Sequence, residues 1–507
     1  MILTRRQALK LAGALSGSSF ADLACTEARP RPRLLPSWLA IPEPFKVELP
    51  LPKLLKPMRS EGAVDYYEMT ARPATVELIP GVQTSIWAYE GTLPGPTIEA
   101  RSGRTISLRL RNSLPVPIVN HLHGGRTESL SDGYPTDFVL PDSGEAFDGG
   151  NPQRSVSGER EYRYDNRQRA AQLWYHDHRM DFSGPQVWRG LIGLYIIRDE
   201  EEDRLPLPRG EKEVPLVICD RSFNADGSLA YPSINPTLRD SPGVTHSYMG
   251  GVLGDVILVN GAPWPGLSVA NTRYRFRVLN ASNARRYELA LDPAPARSAS
   301  FLQIGSDGGL LGSPVRRRTI RIAPAERFDL IVDFSAYPPG TAVTLRNLAD
   351  SGRAGSILRF HVDRKEKDAS MIPERLSSFE PIDTRDVVTT REFDFRFDRS
   401  SHIWTINGRP FDERRIDAAP RLDSTEIWRL RSDFNHPLHL HLAHFQVLAH
   451  GGPPGLWDAG WKDTIDMEPG QATTIAMRFS GYRGKYVFHC HNLEHEDMAM
   501  MANMEVV

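Results

Sequence analysis

Cysteine is nearly absent: the chain of 507 residues has three, Cys25, Cys219 and Cys490. That excludes a disulfide-stapled scaffold, and a chain long enough for about three domains of roughly 150 residues needs no staples to bury a core. A dominant charge is missing as well. Sixty-one Lys and Arg against 63 Asp and Glu leave a net charge of −2, with no basic or acidic block. This removes the electrostatic case for nucleic acid or an anionic membrane surface. Beyond the N-terminus, no stretch approaches the ~20 apolar residues of a membrane span. No long segment keeps a helical period either. What the chain does have is 40 Gly and 40 Pro, the turn content of a protein built from short strands.

The N-terminal stretch TRRQALKLAGALSGSSFADLAC sets Arg5-Arg6 ahead of Leu9-Lys10 and a modest apolar run. It resembles a twin-arginine export signal, so residues 1–28 are expected to be removed and the mature protein to be periplasmic or extracellular. A lipid anchor on Cys25 is disfavoured by Asp22, where such a signal wants an aliphatic residue. Residues 29 to about 60 are rich in Pro, Leu and Arg and read as an extended arm. A theme then repeats: LPGPTIEARSGRTISLRLRN (93–112), VNGAPWPGLSVANTRYRFRVLN (259–280) and INGRPFDE with STEIWRLRS (406–432) each pair a Gly turn with alternating apolar residues. Gly95, Gly261 and Gly408 mark the repeat. Period-two runs at 104–110 and 274–279 read as half-buried strands. The expectation is all-β: three Greek-key β-sandwich domains at 29–200, 201–370 and 371–507. The charged segments 198–213 and 363–370 read as linkers.

Histidine carries the chemistry. HLHGG (121–125), WYHDH (174–178), HPLHLH (436–441) and HCHNLEH (489–495) each contain a His-x-His and together hold ten of the 15 histidines. Chance at this frequency gives roughly half of one such pair. Successive side chains on a strand face opposite ways, so His489 and His491 look one way and Cys490 the other. A thiolate on one face and two imidazoles on the other would wire two metal centres together, which suits electron transfer rather than a structural zinc site. Two imidazoles, one thiolate and a distant thioether make the blue-copper ligand set; here they would be His436, Cys490, His495 and Met500. The other eight imidazoles, without thiolate or carboxylate, suit copper that handles oxygen. Structural zinc wants a closed set with more cysteines, and non-haem iron wants a carboxylate. His246, His361, His402, His444 and His450 fall outside the pattern and read as ordinary polar residues. Cys219 reads as a small buried residue of a strand.

In this order the four motifs resemble those of the multicopper oxidases, specifically the three-domain bacterial group of laccases, spore-coat laccases and bilirubin oxidases. ILVNGAPWPGLSV, IGSDGGLL, APAERFDLIVDF and GWKDTI match in kind. The resemblance implies cupredoxin-like domains and four coppers. The type 1 ion is held by His436, Cys490, His495 and Met500, and the type 2 ion by His121 and His439. The type 3 pair is held by His123, His176, His178, His441, His489 and His491. It implies that Cys490 and His495 carry electrons inward and that Glu496 and Asp132 relay protons. The implied donors are small phenols, aromatic amines or bilirubin-like molecules, with dioxygen as acceptor and a monomer as the working unit. Oxidation of cuprous or manganous ions is the alternative, and a copper-free structural relative a distant one.

Overall fold

The computed structural model describes residues 30–507 except Ala146; residues 1–28, where an export signal is expected, and with them Cys25, lie outside the described residues. From Arg31 to Val507 the chain forms one compact unit, built of three successive pairs of sheets. The longest helix among the described residues, Ser183–Arg189, has seven residues. No helix there is long and apolar enough to cross a membrane.

Two sheets position the histidine motifs. In the first part of the chain, Gly95–Arg101, Ile192–Arg198, Ala171–Asp177 and Asn120–His123 lie side by side in that order. In the last part the order is Thr464–Met467, His436–Leu440, Gly484–Cys490, Met501–Val506, with every pair antiparallel. Register does the placing. His176 pairs with His121 across one ladder; His439 pairs with His489, and Leu438 with Cys490, across the other. Because pleating alternates faces, the His439 and His489 side chains share one face. Cys490 turns to the opposite face with Leu438, two residues from His436.

The arm, from residue 30 to about 60, is laid across two of the sandwiches. Arg33–Leu35 adds a parallel strand to Val252–Gly254, and single bridges tie Glu48 to Gly266 and Leu54 to Thr97. Two sequence expectations need correction. Gly261 and Gly408 each follow an Asn that also has positive φ (52° and 53°), the backbone of a type I′ hairpin turn. Their counterpart in the first sandwich is Glu90-Gly91, with φ of 54° and 72°, not Gly95, which starts a strand. The charged segment 198–213 is not a solvated linker throughout. Asp199 caps the helix Glu200–Asp203, and this holds Glu202, 1% exposed, against Arg275 (2.5 Å) and Arg277 (2.6 Å). A burial this deep is tolerable only because both charges are paired.

Candidate metal centre

All ten histidines of the four motifs are buried, as are Cys490 and Met500. Burial among neighbouring imidazoles pushes the pKa of His121, His123, His178, His439, His441, His491 and His495 well down, and that of His176 to about 4. These rings are therefore neutral, which leaves a lone pair on each for a metal. Several ring nitrogens have no partner among the described residues: Nδ1 of His123, Nε2 of His176, and both nitrogens of His491. Buried polar atoms are rarely abandoned in this way. The donor set fits metal ions.

At one end, the Nδ1 atoms of His436 and His495 lie 3.1 Å apart, and Cys490 Sγ is 3.3 Å from the first and 3.6 Å from the second. Met500 is tied to both partners through its backbone: its carbonyl accepts from Cys490 N (3.1 Å) and its N–H donates to the His495 carbonyl (3.0 Å). The Asn492 N–H points at the sulfur from 3.4 Å. Burial pushes the Cys490 thiol well up, so it is protonated until a cation displaces the proton. Trp404 stacks on His495 with ring centres 3.7 Å apart.

At the other end, His121 Nε2 faces His439 Nε2 at 3.3 Å. The Nε2 atom of His489 converges on those of His178 (3.2 Å) and His441 (3.3 Å). His123, His176 and His491 close the third corner, with ring centres of His491 5.0 Å from His123 and 5.2 Å from His176. The two ends share the segment 489–491. His489 belongs to one cluster, Cys490 to the other.

Both acids singled out from the sequence touch this second cluster. The Asp132 carbonyl accepts from His121 Nδ1 (2.6 Å) and its carboxylate from His441 Nδ1 (2.7 Å); burial pushes this carboxyl well above its usual range. Glu496 lies 3.2 Å from His178 Nδ1 and 3.1 Å from His489 Nδ1 and accepts from Ser183 Oγ at 2.5 Å.

Sequence reasoning missed Asp463. Its carboxylate accepts from His123 Nε2 (3.0 Å) and its carbonyl from His439 Nδ1 (2.9 Å). One residue thus sets the tautomer of two rings, leaving Nδ1 of His123 and Nε2 of His439 turned to the cluster. Arg327 grips Asp463 with two nitrogens at 2.6 and 2.5 Å. Burial alone would raise this carboxyl, and the guanidinium overrides it, holding it well below its usual range. Arg327 comes from the middle sandwich, which contributes no histidine to either cluster. The signal was present in GWKDTI and APAERFDLIVDF, but neither stretch names its partner.

Comparison with known proteins agrees with this geometry. Two multicopper oxidase family models match, one at residues 70–202 and one at 384–507. The chain is 37% identical to a laccase of Bacillus subtilis, covering 92% of this chain and 98% of that one. It is 32% identical to a bilirubin oxidase of Albifimbria verrucaria, covering 90% and 80%. Its structure resembles that of a multi-copper oxidase from Pediococcus acidilactici with a TM-score of 0.80, 31% identity, and 94% and 93% coverage. Each sandwich is thus cupredoxin-like, and the chain belongs to the multicopper oxidases.

Proposed function

We propose that the protein is a laccase-type oxidase that draws single electrons from small aromatic donors and reduces dioxygen to water. His436, Cys490, His495 and Met500 would hold a type 1 copper. His121 and His439 would hold a type 2 copper, and the remaining six imidazoles a type 3 pair. Copper bound in these sets would supply one-electron acceptance at one end and four-electron reduction of dioxygen at the other.

The residues account for the coupling between the ends. Cys490 joins the two clusters by its own side chain and the peptide bonds to His489 and His491. Asp463 and Asp132 orient four of the eight cluster rings from behind, so those rings need little rearrangement on loading. Glu496 and Ser183 form a hydrogen-bonded step that leads from His178 and His489 to the helix Ser183–Arg189, a place where protons can be held beside the site of oxygen reduction.

The donor class rests on one observation. A cavity of about 490 Å³ has Asn435, the residue before His436, in its wall, together with Tyr287, Trp457 and the Arg286–Asp466 ion pair. That volume falls in the range of small-molecule sites, and an aromatic molecule bound there would lie next to the strand that carries His436. The test is oxygen uptake by four-copper enzyme with a methoxyphenol, an o-aminophenol, bilirubin, copper(I) and manganese(II). Fastest uptake with an aromatic donor is expected; preference for the ions would overturn this donor class.

Glu496→Gln keeps the shape of the side chain and removes the carboxylate that can take up and release a proton. Oxygen uptake is expected to fall at least about tenfold, with the blue absorption unchanged. Undiminished uptake in a fully loaded variant would dismiss the relay.

A further inference from the structure

Two histidines outside the four motifs meet at the surface. His246 comes from the short turn His246–Tyr248 of the middle sandwich, and His402 precedes the strand Ile403–Ile406 of the last one. Both are exposed. Their ring centres lie 5.6 Å apart with the planes at 68°. Three ring pairs of the copper clusters have nearly the same disposition: 5.0 Å and 66° for His436 and His495, 5.4 Å and 65° for His441 and His489, 4.8 Å and 68° for His178 and His489, while others, such as His123 and His439, are stacked. Among the described residues, no side-chain hydrogen bond or ion pair engages either ring, so their nitrogens are available to a ligand.

The surroundings hold the pair in place. Trp404 Nε1 donates to the Met249 carbonyl at 3.1 Å, which pins the turn carrying His246 to the strand that follows His402. His402 itself has φ of 54°, a left-handed conformation that is unfavourable for a residue with a Cβ and that recurs where function needs it. Behind the pair, Phe397 lies 6.2 Å from His402 and 4.8 Å from Trp404, and Trp404 stacks on His495. An occupant of the pair would sit at the outer end of a run of rings ending on a type 1 ligand.

We propose that His246 and His402 form an exchangeable surface site for a first-row transition-metal ion, separate from the four coppers. Two imidazoles with open positions suit zinc(II), nickel(II) or copper(II), and the usual affinity order favours copper(II) among them. The link to His495 rests on the type 1 assignment above; binding at the pair does not. A cation held here adds positive charge on the His495 side and so makes the type 1 site easier to reduce.

The test uses four-copper enzyme titrated with zinc(II), which adds no visible band of its own. One further ion per chain is expected, with affinity at least tenfold weaker in His246→Ala and in His402→Ala and unchanged in His361→Ala, which removes an exposed histidine elsewhere. Zinc(II) should raise the type 1 potential in the parent enzyme and in neither pair variant. No added ion in the parent, or equal binding in the pair variants, overturns the site. Binding that tracks the pair without any shift in potential overturns the link to His495. Blue absorption and phenol-driven oxygen uptake, read in the same samples, report separately on the laccase reading.

Discussion

Cys490→Ser is expected to lose the blue absorption entirely and to cut donor-driven oxygen uptake on the order of a thousandfold or more, equivalent to about 4 kcal/mol on the barrier. The argument is chemical and topological. A buried serine hydroxyl does not ionise to meet a metal as a thiol does, so the proposed type 1 set of His436, Cys490, His495 and Met500 would lose its one anionic member. The same atom is the link from one cluster to the other, because the residues on either side of it, His489 and His491, belong to the second cluster. The volume change is small, and the imidazoles oriented by Asp463, Asp132 and Glu496 keep their outer hydrogen bonds. Copper content is therefore expected to fall by about one ion rather than to collapse. Retention of the blue band, or uptake within tenfold of the parent, would show that electrons enter by another route.

Arg327→Met is expected to be the most damaging change away from the imidazoles and the sulfur. Arg327 is 1% exposed and Asp463 fully buried. Removing the guanidinium strands a carboxylate in the interior, which typically costs about 3–5 kcal/mol. The loss would extend past Asp463. Arg327 Nε also donates to the Gln172 carbonyl (3.1 Å) in the first sandwich and Nη2 to the Asp307 carbonyl (3.1 Å) in the middle one, so one side chain joins all three. Asp463 freed from its grip no longer fixes His123 and His439. A lowered unfolding midpoint of the copper-free protein and a weakened type 2 copper signal are expected together. An unchanged midpoint and a normal type 2 signal would remove the positioning role.

The metal chemistry could be read before the fold because it is written in short spacings. A His-x-His on a strand projects both rings to one face whatever surrounds it, and Cys490 between two histidines must face the other way. The acids Asp132 and Glu496 followed from the resemblance to the family, which places carboxylates beside these motifs. Asp463 and Arg327 were not, since their pairing spans two sandwiches and depends on how sheets stack rather than on any local period. The same limit hid His246 and His402: each is a lone histidine in sequence, and only the packing of one turn on another makes them neighbours. The Gly95 repeat was misplaced by one turn because LPGPT and VNGAP both look like Gly-Pro turns. The paired positive φ values at Glu90-Gly91 and Asn260-Gly261 show the true correspondence.

His121 and His439 stand on strands far apart in the polypeptide, and the strand Gly484–Cys490 pairs with Met501–Val506. A nascent chain still emerging from the ribosome would therefore own only the first-sandwich half of the imidazole cluster and none of the residues proposed for the type 1 copper. Tight capture of copper would wait for the last sandwich, and a product cut short before His436 would remain colourless and leave the metal to copies that have it.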